Sequence, residues 1–175
     1  MRSFKWIGIF TPAPITPLER DCEKEIFPYC MEHGIGVVSF SPIASGFLSG
    51  KIHADTQFEA VDDVRKFVPQ LKKENIEANR PILDILQRYA DKKGATLAQI
   101  SLAWMLHKYP NVVPIPGSKN RERILENLGA ANVKLTGKEF RMLEKALDAC
   151  PVHGHRGHVE TVQGNFGNNW KKIEN

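Results

Sequence analysis

Two short apolar runs set the limits on what this chain can fold into. Residues 35–40 (IGVVSF) lie between Gly34 and Pro42, and residues 112–115 (VVPI) are closed by Pro116-Gly117. Each reads as a short strand, the first as one buried on both faces, and Pro or Gly forces the chain to turn where each run ends. Helical periodicity surrounds them. Residues 21–33 read as a helix with Ile26, Tyr29 and Cys30 on one face and Gly34 as its stop. Residues 80–93 form the clearest helix. Asn79 is its expected N-cap, Pro81 sits in the first turn, and Ile82, Ile85, Leu86 and Tyr89 make a stripe before Gly94. Thr96 opens a second helix over 97–108, and a third covers 121–130. Thr136-Gly137-Lys138-Glu139 is a capping box for the last, with Phe140, Leu143, Ala146 and Leu147 facing inward. Between 52 and 79 the chain is polar and irregular, with a short helix expected over 68–76.

Buried strands alternating with helices predict an α/β fold with a parallel sheet. Two strands are too few for a closed eight-stranded barrel, which usually takes ~250 residues. They are too few for an open doubly wound sheet as well. The expectation is therefore part of a larger fold.

The loops that follow the strands carry the chemistry. Ser41-Pro42-Ile43-Ala44-Ser45-Gly46-Phe47-Leu48-Ser49-Gly50-Lys51 combines hydroxyls, glycines and a terminal cation. Glycine lets the backbone come close to an anion and point N–H groups at it, and Lys51 adds a point charge. The loop is neither a GxGxxG turn nor a Walker-type sequence. After the second strand, Gly117-Ser118-Lys119-Asn120-Arg121 runs straight into a helix, whose first amides then face the strand end. Arg123 falls in that helix's first turn, where it opposes the dipole unless an anion joins it; a solvated pairing with Glu122 or Glu126 is the alternative. Both loops would lie at the C-terminal ends of parallel strands, where ligands bind in barrels and open sheets. One extended, multiply charged ligand spanning both is the economical reading.

Composition narrows the partners. With 175 residues, 42% of them hydrophobic, the chain has enough apolar mass for a core. Its net charge of +4 suits an anionic small molecule. Basic residues mostly alternate with acids, as at Glu23-Lys24-Glu25, Lys72-Lys73-Glu74 and Arg121-Glu122-Arg123, which predicts a solvated surface and no nucleic-acid stripe. No apolar run approaches the ~20 residues of a membrane helix. The first residues break into prolines without the apolar core of a signal peptide. Cys22, Cys30 and Cys150 lack metal-type spacing and read as reduced thiols, which fits a cytoplasmic protein.

From Glu19 to about Ala149 the chain resembles the aldo-keto reductases. The residues that carry the likeness are Phe40-Ser41-Pro42-Ile43 with Gly50-Lys51, and Val112–Gly117 with Glu126-Asn127. The resemblance implies the C-terminal part of a TIM (β/α)8 barrel, strands 7 and 8 with their helices. It implies domains at 1–17 (atypical segment), 18–150 (cofactor-holding part) and 151–175 (tail). It further implies an NADP(H)-dependent oxidoreductase that reduces aldehyde or ketone carbonyls. Phe40 stands where an aromatic ring stacks on the nicotinamide, and Ser41, Ile43, Ser45, Leu48 and Lys51 where the pyrophosphate is wrapped. Ser118, Lys119 and Arg123 fall at the 2′-phosphate grip, Glu126 and Asn127 at the adenine contacts, and Pro42 and Gly117 are further implied cofactor-binding positions. Arg123 is the reason to expect NADP over NAD.

The likeness stops near Leu18. Where the family's strand 6 carries a Gln-x-x-Tyr-Ser-like sequence, this chain has Ala13-Pro14-Ile15-Thr16-Pro17, and prolines cannot donate to a ladder. The family's catalytic Asp, Tyr, Lys and His have no counterparts here. Tyr29, Tyr89 and Tyr109 are expected to be packing residues. His153, His155 and His158 read as a flexible surface loop rather than a metal cluster, and the resemblance implies that Phe166 and Trp170 line a substrate pocket, which the family's C-terminal tail borders. The rival reading is a non-catalytic NADP-binding or assembly module, self-associating through an open sheet edge, or a non-functional fragment.

Overall fold

A computed structural model describes residues 15–60 and 63–156. Strands β1 (Val37–Phe40) and β2 (Val112–Ile115) pair in parallel, with Val37 opposite Val112 and Phe40 opposite Ile115. A parallel pair needs a long crossover, here built from α2 (Lys73–Ala78), α3 (Arg80–Lys93) and α4 (Leu97–Lys108). Helix α1 (Ile26–Glu32) precedes β1, while α5 (Arg121–Gly129) and α6 (Gly137–Asp148) follow β2. Asn111 locks the pair at its base, its side-chain amide donating to the Ile35 carbonyl at 2.9 Å.

The expectation of a first strand buried on both faces is corrected. Val37 and Ser39 are buried, but Val38 and Phe40 are only half-buried, and on β2, where Val112 is buried, Val113 is 44% and Ile115 49% exposed. Side chains alternate across a strand, so Val38, Phe40, Val113 and Ile115 share one face. The described helices cover only the opposite face, so an uninterrupted apolar run marks β1 without showing which layers enclose it.

Helix α1 is shorter than the 21–33 expected and differently phased. A 3-10 turn at Asp21–Glu23 comes first, and α1 begins at Ile26 with Pro28 in its first turn, where the missing N–H costs nothing. Phe27 and Cys30 face inward, and Tyr29 is 57% exposed, stacked on His33 at 4.0 Å. Tyr109 does pack in the core, against Phe27 at 4.5 Å.

The crossover helices follow their signals closely. Helix α3 ends on Gly94 in the left-handed region (φ 59°). The reciprocal Thr96–Gln99 box opens α4. Residues Ile100 to Met105 of α4 are buried without a break, because α3, α5, β2 and the loop after β1 all pack on it. Asn79, the expected cap of α3, has another task. Its amide is fully buried, donates to the His153 carbonyl at 2.8 Å and accepts from the His153 N–H at 2.8 Å. Nor is Glu23 a merely solvated charge. It receives Arg20 (2.8 Å) and Lys108 (2.8 Å), and those two cations also reach Glu144, which accepts the Trp104 Nε1–H at 2.6 Å.

Glu139 closes the capping box of α6 and also receives Lys92 at 2.8 Å and Lys93 at 2.7 Å from α3. Those hydrogen bonds, with that from the Thr136 amide, hold its carboxyl well below the ordinary range. A depressed folded-state pKa adds stability that is present above the ordinary carboxylate value of about 4.3 and lost as pH falls below it. The melting temperature of the native chain should therefore fall further between pH 7 and pH 3 than that of Glu139→Gln. Parallel curves would remove Glu139 from the role.

Candidate functional site

The loop after β1 is held in an unusual backbone path. Ser41 (φ 45°), Ala44 (φ 49°) and Ser45 (φ 54°) are all left-handed without being glycine. Such residues cost on the order of 1–3 kcal/mol each and persist only where the surroundings over-determine them. Here the surroundings are the fully buried side chains of Phe47 and Leu48, with Ala44 N–H donating to the Ser41 carbonyl (2.9 Å) and Gly46 N–H to that of Ile43 (3.0 Å). Gly50 (φ 71°) ends the turn against Leu97 of α4, where a Cβ would lie 2.4 Å from Leu97 Cδ1.

Phe40, Ser41, Ile43 and Ser45 lie half-buried at the strand end, while Pro42 and Leu48 are buried. Leu48 offers a ligand its backbone only. The register sets Phe40 beside Ile115, so both loops leave the sheet at the same end.

The second loop is drawn tight around Asn120. Its side chain caps α5 by accepting from the Arg123 N–H at 2.9 Å, and its own N–H donates to Ser118 Oγ at 3.1 Å. Gly117, Lys119 and Arg123 are exposed. Among the described residues Arg123 has no ion-pair partner, so the expected alternative of a pairing with Glu122 or Glu126 is not the one adopted. Glu126 instead faces Lys51 across the two loops at 3.8 Å. Gln99 of α4 steadies this turn of α5 by donating to the Glu126 carbonyl at 2.8 Å, and Asn127 beside it is buried.

Lys51, Lys119 and Arg123 thus stand at one end of the parallel pair, beside a loop of strained backbone. That arrangement can hold an extended anion. It contains no group of His, Cys, Asp or Glu able to bind a metal among the described residues.

Sequence reasoning missed Arg156. Its guanidinium carbon lies 4.1 Å over the Phe40 ring, and Nη2 donates to Ser41 Oγ at 2.5 Å. No local signal points there from 115 residues away. The tail around it lies on the surface, with residues 151–155 exposed, and is docked there: His153 is held by Asn79, and the His155 carbonyl accepts from the Gln70 N–H at 3.1 Å. His158, Phe166 and Trp170 lie outside the described residues.

The family model described as Aldo/keto reductase family matches residues 10–148. The chain belongs to this family. The match opens ahead of Leu18, where the likeness had been expected to stop, and Ile15 is indeed buried beside β1, its N–H donating to Ser39 Oγ at 3.3 Å. Among aldo/keto reductases, a probable aldo-keto reductase 1 of Glycine max is 38% identical over 137 residues, 78% of this chain and 39% of that protein. The glycerol dehydrogenase AKR11B4 from Gluconobacter oxydans superimposes with a TM-score of 0.68 at 27% identity, over 78% of this chain and 41% of its own. An aldo/keto reductase from Klebsiella pneumoniae, solved with NADP and acetate, shares the fold at a TM-score of 0.53 and 22% identity, covering 84% of this chain and 42% of that one. The chain therefore spans about two fifths of the length of these relatives. The family's fold is the TIM barrel, and the described residues form an α/β part of one.

Proposed function

We propose that residues 18–150 are the C-terminal, NADP(H)-holding part of an oxidoreductase that reduces aldehyde or ketone carbonyls, preceded by a segment (1–17) of which residues 10–17 fall inside the family match, and followed by a tail (151–175). The observation that carries this reading is the pairing of a left-handed, hydroxyl-bearing loop with a cationic helix start at one end of two parallel strands, in a member of this family.

The residues present fit the dinucleotide. Phe40 offers a ring for the nicotinamide. Ser41, Ile43, Ser45 and Lys51, with the backbone at Pro42 and Leu48, border a pyrophosphate. Gly117, Ser118, Lys119 and Arg123 surround a 2′-phosphate at the N-terminus of α5. Glu126 and Asn127 meet the adenine. When bound, the nicotinamide supplies a hydride for the carbonyl carbon.

This chain's own part is to bind and orient that group, and its tyrosines do not complete the chemistry. Tyr109 is buried against Phe27 with its phenol pushed far up by burial and by Glu23, which makes it a poor proton donor. Tyr29 lies on the outer side of α1, and Tyr89 of α3 packs against the core. The proton donor of the family's Asp, Tyr, Lys and His set is therefore sought outside these residues. The three cysteines are free, and no helix of the described residues is long and apolar enough to cross a membrane, which supports a cytoplasmic location.

A second reading, a non-catalytic NADP-binding or self-associating module, is favoured by the open row of Val113 and Ile115. Calorimetric titration of the chain with NADPH tests both. Saturable binding with a raised melting temperature and no turnover of a simple aldehyde is expected. Turnover would refute the missing donor, and absent binding would refute the cofactor site.

A further inference from the structure

The segment leading to Arg156 is tied down by more polar contacts than a surface loop needs. Asn79 binds His153 in both directions, and Gln70 binds the His155 carbonyl. Together these contacts carry Arg156 to the C-terminal end of β1.

There the guanidinium is incompletely satisfied. It offers five N–H donors. One reaches Ser41 Oγ, while Nε is buried without a hydrogen-bond partner among the described residues. Burial and Asp21 raise the pKa of Glu19, the carboxyl whose charge acts on Arg156. Ser41 also opens the left-handed run whose backbone the proposed site uses. A planar, always-charged fork at that place matches the oxygens of a phosphate better than it matches a lone hydroxyl.

Resting on the dinucleotide reading above, the geometry points to Arg156 as a further cofactor-binding residue, delivered by the C-terminal segment and gripping the pyrophosphate beside Ser41. The pyrophosphate is common to NADPH and NADH, so Arg156 acts on both, unlike Arg123.

The test is calorimetric titration of the full chain and of Arg156→Ala, Arg156→Lys and Arg123→Ala with NADPH and with NADH. Thermal melts confirm that each variant folds. Arg156→Ala is expected to weaken both cofactors about tenfold, to similar extents, and Arg156→Lys to recover part of the loss because it keeps the charge. Unchanged or tighter binding by Arg156→Ala would overturn the proposal; tighter binding would show the tail competing for Phe40 and Ser41. Failure of the native chain to bind either cofactor would instead overturn the dinucleotide reading on which it rests.

Discussion

Arg123→Ala is expected to weaken NADPH binding by roughly one to two orders of magnitude and to leave NADH nearly unchanged. The reason lies in where the residue stands. It is the third residue of α5, exposed, and without an ion-pair partner among the described residues. A cation in the first turn of a helix opposes the helix dipole, a cost of about 0.3–1 kcal/mol that an anion at the same place reverses. The 2′-phosphate is the anion that distinguishes the two cofactors, so its loss of a bidentate partner falls on one of them alone. Calorimetry with both cofactors decides the matter. A loss of the same size for NADH would assign Arg123 to a group that both share.

Trp104→Ala should be the most damaging single change to the fold. The side chain is completely buried in the middle of α4, and its indole N–H is held by Glu144. Arg20 and Lys108 lie over its ring at 5.4 and 5.1 Å. Truncation of a buried aromatic of this size costs about 3–5 kcal/mol. In a chain of this length that lowers the melting temperature by roughly 6–20 °C. Trp104→Phe keeps most of the bulk and leaves Glu144 its two cations, so it should lose only about 1–3 kcal/mol. Similar melts for the two variants would show that the hydrogen bond, and not the packing, governs the site.

What could be read from the sequence was whatever is encoded within a few residues. Helices α3, α4 and α6 carry their own punctuation (Pro81, Gly94, Thr96 with Gln99, Thr136 with Glu139), and they begin or end where those residues say. Strand β2 is fixed by Pro116-Gly117 just beyond it. Pro28 was equally visible, but it admits two helix starts, and only packing selects the one that turns Phe27 inward. Asn79 looks like a cap because asparagine usually caps; its use as a clamp on His153 depends on a segment that meets it only in three dimensions. The same holds for the site. Lys51, Lys119 and Arg123 are recognisable from their places after strands, whereas Arg156 becomes relevant only once the tail has folded back onto β1.

The parallel pairing has a consequence in time. Asn111, which locks β2 to the base of β1, lies 76 residues beyond Ile35. At a synthesis rate of about 5–20 residues per second, β1 leaves the ribosome roughly 4–15 s before its partner exists. A hairpin would close within microseconds of the second strand's arrival, but here the crossover helices must also be made and docked first. During those seconds IGVVSF lacks its β2 partner, and whatever shelters that edge at the ribosome exit determines how much of the chain reaches the folded state.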